Sequence, residues 1–159
     1  MNRKYYIGID PGISGGAGLL NSKGSYLDSL KFKGLADIDK PSGRTAIYDI
    51  INTIRTWCNM PGATSTCIIE KVHSMPKQGV ASTFTFGKNY GFLIGCLTAM
   101  NVPFNYVTPQ KWQKHMDCMT KGDKNVSKSR AQRLYPEVKM THAIADAILI
   151  ARYNYEISR

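Results

Sequence analysis

The chain has 159 residues and a formal net charge of +10, from 21 Lys and Arg against 11 Asp and Glu. That length suits one domain over residues 1–159 with a real core. No apolar run approaches the roughly 18 residues of a membrane helix, and Met1 to Lys4 open no apolar secretory segment, so no membrane partner is expected. Cys58, Cys67, Cys96 and Cys118 are scattered with no C-x-x-C pair, which argues against zinc and a disulfide framework and fits a reducing cytoplasm.

The first third reads as a β-meander. Lys4 to Asp10 is a strand, and Pro11-Gly12 forces a turn after it. Ala17 to Asn21 is a second strand, Ser22-Lys23-Gly24 a hairpin turn, and Ser25 to Lys33 a third strand. Gly34 to Gly43 is a loop. From Arg44, Ile47, Ile50, Ile51, Ile54 and Trp57 recur at 3-4-7 spacing and predict a helix with one buried stripe, ended by Met60-Pro61-Gly62. Ser65 to Val72 is a strand, followed by a loop over Ser74 to Gly79 and a long helix over Ala81 to Asn101. Pro103 to Val107 is a fifth strand. Gln110 to Met116 is a short helix, Asp117 to Asn125 a polar, mobile stretch, and Val126 to Tyr135 a basic helix stopped at Pro136. Thr141 is a plausible N-cap for a last helix reaching about Tyr155. The order is βββαβαβ, then C-terminal helices, an α/β pattern.

Three acids stand out. Asp10 sits where an apolar strand meets its turn, a place where α/β folds build sites; it either bonds the turn backbone or serves a site. Ile68-Ile69-Glu70 repeats the pattern of apolar strand then carboxylate. Asp146 lies inside the apolar run Ala145-Asp146-Ala147, where an unpaired charge is costly. Glu137 and Glu156, Asp117 and Asp123 read instead as solvated. Three carboxylates brought together repel one another, and a hard divalent cation is the natural way to keep them ionised. His142 precedes Asp146 by four residues, one helical turn on the same face. It is either an exposed first-turn histidine or a fourth ligand or proton-transfer group, and a histidine ligand leaves room for Mn²⁺ beside Mg²⁺.

The charge is uneven. No acid occurs between Lys71 and Met116, while Lys71, Lys77, Lys88, Lys111 and Lys114 are basic, and Lys121, Lys124, Lys128, Arg130, Arg133 and Lys139 continue the trend. A polyanion is the expected partner, since each neutralised phosphate releases counterions. Phe84, Phe86 and Tyr90 tempt a base-stacking reading, but at helical spacing they read first as core. Gly87, Gly91, Gly95 and Ala99 recur every four residues and line one helix face. Glycine inside a helix costs roughly 1 kcal/mol against alanine, so this face packs closely on something, either the protein's own sheet or a second copy.

Gly8-Ile9-Asp10-Pro11-Gly12, Ile68-Ile69-Glu70 and His142-Ala143-Ile144-Ala145-Asp146-Ala147 resemble the acidic motifs of RuvC-type Holliday junction resolvases. Met75 to Val80, Phe86-Gly87-Lys88-Asn89-Tyr90-Gly91, Thr108-Pro109-Gln110-Lys111-Trp112 and the Lys121 to Arg130 segment resemble the phage and prophage branch. The resemblance spans nearly the whole chain in motif order. It implies a ribonuclease H-like fold, a five-stranded mixed sheet of order 3-2-1-4-5 flanked by helices. It also implies a homodimer with Gly87, Gly91 and Gly95 near the two-fold axis, acting on branched DNA, especially four-way junctions. Asp10, Glu70, His142 and Asp146 would be catalytic and would hold Mg²⁺, or Mn²⁺ in its place. Two ions roughly 4 Å apart would flank the scissile phosphate, with no organic cofactor. Lys77, Lys111, Lys114, Lys121, Lys124 and Lys128 would hold the phosphate backbone, in a bacterial cytoplasm if the chain is phage-encoded. Two departures stand out. The bacterial enzymes commonly carry a carboxylate or histidine three residues before the last aspartate; here that residue is Ala143, and His142 sits at four, a spacing that other branches of the family use. Bacterial members place a wedging aromatic three residues after the glutamate; here it is His73, either a base-stacking residue or a plain loop histidine. A flap or other branched-DNA endonuclease of the same fold is the alternative enzyme, and a non-catalytic branched-DNA binding protein the alternative class.

Overall fold

The computed structural model describes residues 3–73, 79–119 and 122–159. Five strands form one mixed sheet: β1 (Arg3–Asp10), β2 (Gly16–Leu20), β3 (Tyr26–Lys31), β4 (Ala63–Glu70) and β5 (Asn105–Val107), in the order β3-β2-β1-β4-β5. β1–β2 and β2–β3 are antiparallel, while β1–β4 and β4–β5 are parallel. Five helices flank the sheet: α1 (Pro41–Cys58), α2 (Val80–Ala99), α3 (Pro109–His115), α4 (Lys124–Leu134) and α5 (His142–Ile157). This is the expected sheet order.

Period-2 alternation sorts the strand side chains between two cores. On β1, Ile7 and Ile9 join Cys67 and Ile69 of β4 in a cluster with α1 and α2. Tyr6 and Ile68 join the opposite cluster with α3, α4 and α5. The α1 stripe is buried as the spacing predicts, through Ile47, Ile50, Ile51, Ile54 and Trp57. Each such side chain stabilises the fold by about 1.5–3 kcal/mol when fully buried. α1 starts at Pro41, three residues before Arg44, because proline is well suited to the first helical position and the Lys40 N-cap is extended.

α5 lies directly on the strands. A Cβ added at Gly8 would run into the backbone of Ala147 and Ala151, with the Ile150 carbonyl carbon at 2.7 Å. One at Gly16 would stand 2.8 Å from the Ala143 carbonyl oxygen. Close approach of helix to sheet therefore demands glycine at these two positions, and it sets the height of Asp146 above the strands. Far along the helix the buried Asn154 amide donates to the carbonyls of Ile7 (3.1 Å) and Thr66 (2.8 Å), tying α5 to both central strands.

The described part of the polar stretch over Asp117 to Asn125 includes a helix cap. Asp123 caps α4 and accepts from the Asn125 N–H at 2.9 Å. Glu156 is not merely solvated, since Arg152 Nε donates to it at 2.6 Å and His115 Nε2 lies 2.9 Å away. The first reading of Phe84 as core fails: it is 71% exposed on α2. Tyr90 is half-buried and packs on the α1–α2 cluster. α2 buries Asn89, Leu93 and Leu97, and the two leucines join the core cluster of β1, β4 and α1. Gly87, Gly91 and Gly95 lie two residues before Asn89, Leu93 and Leu97, about 200° round the helix. They are exposed, and a Cβ at any of them would meet nothing within 4 Å. The glycine face therefore does not pack on the chain's own sheet.

Candidate functional site

The strand registers draw one row across the sheet. Asp10 pairs with Gly16, Gly16 pairs with Lys31, and Glu70 pairs with Val107. The parallel β1–β4 register, Ile9 to Ile69, brings Asp10 level with Glu70. By alternation both carboxylates project to the face that α5 covers. The first turn of α5 crosses Gly16, so His142 and Asp146 come down over this row. Asp10, Gly12, Lys31, Glu70, Lys124, Thr141, His142 and Asp146 all line one cleft of about 590 Å³.

Local chemistry fixes each carboxylate. Asp10 Oδ1 accepts from the Gly12 N–H at 2.9 Å, so it does bond its own turn. Burial is the main cause that lifts its pKa from 3.8 to about 6; the Asp146 charge adds, while the Gly12 bond and Lys124 oppose. Glu70 Oε2 accepts from the indole Nε1 of Trp112 at 2.6 Å. Burial, then the charge of Asp10, raises Glu70 from 4.5 to about 7, against the pull of that bond. Burial raises Asp146 as well, opposed by the Ser127 hydroxyl and by Lys124 and His142. Asp146 Oδ1 is solvent-inaccessible and has no hydrogen-bond partner among the described residues. None of the ion pairs among the described residues uses these three acids.

Such a donor set suits a hard divalent cation. It is all oxygen, it is partly buried, and it holds an orphaned carboxylate oxygen whose burial is costly without a partner. Among the described residues, however, no three Asp, Glu, His or Cys groups stand close enough to form a finished cage. Trp112 holds Glu70 through the 2.6 Å indole bond.

The predicted basic residues divide. Lys124 lies at the cleft and its charge reaches Asp10 and Asp146. Lys128 lines a separate groove with Gln132 and Arg133 on α4. Lys111 lines a small pocket with Tyr106, Tyr153 and Asn154, away from the cleft. Lys114 is exposed in the last turn of α3. His73 is exposed just beyond β4 and does not line the cleft. Lys77 and Lys121 fall outside the described residues. Sequence reasoning missed Lys31 at the cleft and Trp112 on Glu70. A lysine at a strand end carries no signal without the register that puts it across from Asp10. Trp112 stood in a quoted motif, but only the fold shows what it touches.

Compared with family models and with curated protein sequences, the chain matches none. Among solved structures it is similar to the RuvC of Thermus thermophilus in complex with a Holliday junction substrate. That likeness has a TM-score of 0.68 at 15% identity, covering 100% of this chain and 96% of the other. A second structure of Thermus thermophilus RuvC gives a TM-score of 0.61 at 16% identity, covering 94% and 92%. At this identity the likeness establishes the RuvC-type, ribonuclease H-like fold.

Proposed function

We propose that the protein is a divalent-metal-dependent endonuclease that resolves four-way DNA junctions by paired, symmetric nicks, leaving 5′-phosphate and 3′-hydroxyl ends. The observation that carries this reading is the row Lys31–Gly16–Asp10–Glu70 under Asp146, within a fold shared with a junction-bound RuvC. When bound, Mg²⁺, or Mn²⁺ in its place, supplies an activated water and neutralises the leaving 3′-oxygen, with two ions per site.

The chain's own residues do the rest. Asp10, at the centre of the row, would hold the metal together with Glu70 and Asp146 on either side of it. His142 sits within the cleft lining, where it completes the ligand set or moves a proton. Lys31 and Lys124 neutralise the cleaved phosphate, and Lys128 and Arg133 extend the basic surface along a duplex arm.

One chain has one such cleft, and a junction must be nicked on two opposed strands. A two-fold homodimer supplies two clefts related as the strands are. The open Gly87-Gly91-Gly95 face supports this pairing. Its helical cost is offset by no contact among the described residues, while a second helix could approach it closely.

The test is cleavage of a synthetic immobile four-way junction with Mg²⁺ or Mn²⁺, beside Asp146→Asn. Paired nicks are expected from the wild type. The variant should not cleave, yet its junction affinity in Ca²⁺ or EDTA should stay within about tenfold, or about 1.4 kcal/mol. Cleavage of flaps but not junctions would assign the alternative specificity. Junction binding without any metal-dependent nicking would refute the enzyme reading.

A further inference from the structure

The hydrogen bond from Trp112 to Glu70 is the most consequential contact at the site that no motif chemistry explains. Trp112 is fully buried. It lies in the same core cluster as Ile68, Val107 and Met116, and α3 carries it there directly after β5. β5 itself is locked to the end of β4: Val107 pairs with Glu70, and the Lys71 N–H donates to the Val107 carbonyl at 2.7 Å. The indole therefore has no freedom to move, and its N–H is a donor only. At 2.6 Å that donor takes one lone pair of Glu70 Oε2, no hydrogen bond among the described residues engages Oε1, and Glu70 lines the cleft.

We infer that Trp112 is a positioning residue that makes Glu70 a one-oxygen ligand and thereby biases the cleft toward small octahedral cations over Ca²⁺. This rests on the divalent-metal reading of the cleft. Mg²⁺ demands near-ideal octahedral geometry and is held through few carboxylate oxygens. Ca²⁺ takes six to eight oxygens and readily accepts a bidentate carboxylate. A carboxylate with one oxygen engaged by a rigid donor suits the first requirement. Freed from Trp112, Glu70 could rotate and offer both oxygens, which suits the second. Partners of this kind behind a ligand typically change metal affinity by about 10–100-fold.

The test removes the donor and keeps the shape. Benzothienylalanine installed at position 112 by codon suppression replaces the indole N–H with sulfur in a ring of almost the same size. Trp112→Phe serves as a second variant, with folding of both checked by thermal melting. Free Mn²⁺ is counted by electron paramagnetic resonance during titration of the full protein without DNA, and Ca²⁺ is then added as competitor. The ratio of Mn²⁺ to Ca²⁺ affinity should fall about tenfold or more in both variants, mainly through weaker Mn²⁺ binding. A purely structural role for Trp112 would weaken both ions equally, so an unchanged ratio overturns the inference while leaving the metal reading intact. A wild-type protein that takes up no Mn²⁺, or an Asp146→Asn control that takes up as much, overturns both.

Discussion

Ionising the cleft without a cation strains the native state, and Asp10→Asn should expose this. In the native protein Asp10 binds its proton more tightly than in the unfolded chain, since its pKa rises from 3.8 to about 6 through burial. Stability therefore falls as pH climbs from about 4 through about 6 and stays low above that range. At 1.36 kcal/mol per tenfold change in proton affinity, that rise is worth about 3 kcal/mol at most. Water at the cleft mouth reduces it, so about 1–3 kcal/mol is expected. Asparagine keeps an oxygen to accept from the Gly12 N–H and never ionises. In EDTA at pH 8 the variant should melt roughly 2–12 °C above wild type for a domain of this size. Near pH 4 the gap should close. Mg²⁺ at pH 8 should raise the wild-type midpoint and leave the variant's nearly unmoved. The measurement is a set of thermal melts across pH with and without Mg²⁺. A variant less stable than wild type at pH 8 in EDTA, or a gap that does not depend on pH, would refute the reasoning.

His142→Ala should slow junction cleavage on the order of 10²-fold, the range for losing a general acid or base; wild-type rates would return His142 to an exposed first-turn residue. Gly8→Ala should destabilise the protein by more than about 3 kcal/mol, because the new methyl meets the α5 backbone and not a movable side chain. Chemical denaturation reads that loss, and a change under 1 kcal/mol would mean α5 can lift off β1 cheaply. A Cβ at Gly91 meets nothing within 4 Å among the described residues, so Gly91→Leu should leave the monomer folded as well as wild type. Light scattering should then show a shift from dimer toward monomer, with junction products passing from paired to single nicks; a fully dimeric variant that still makes paired nicks would place the dimer contact elsewhere.

Much of this protein is legible in one dimension, because burial imposes a period. The 3-4-7 spacing of Ile47, Ile50, Ile51, Ile54 and Trp57 determined α1, and alternation determined which strand residues share a face. Asp10, Glu70 and Asp146 were visible as carboxylates that apolar elements carry against their solvation preference, and each indeed lines the cleft. Periodicity states which residues face the same way, but not what they face. The glycines of α2 are the clearest case: their spacing marks one side of a helix, and only packing of Leu93 and Leu97 into the core turns that side outward. Phe84 goes outward for the same reason. Lys31 reaches the cleft through two strand registers, and Trp112 reaches Glu70 across a gap of 42 residues. Such contacts depend on strand pairing and on how closely α5 can lie on Gly8 and Gly16. Those are properties of the assembled layers, which no local stretch of the chain encodes by itself.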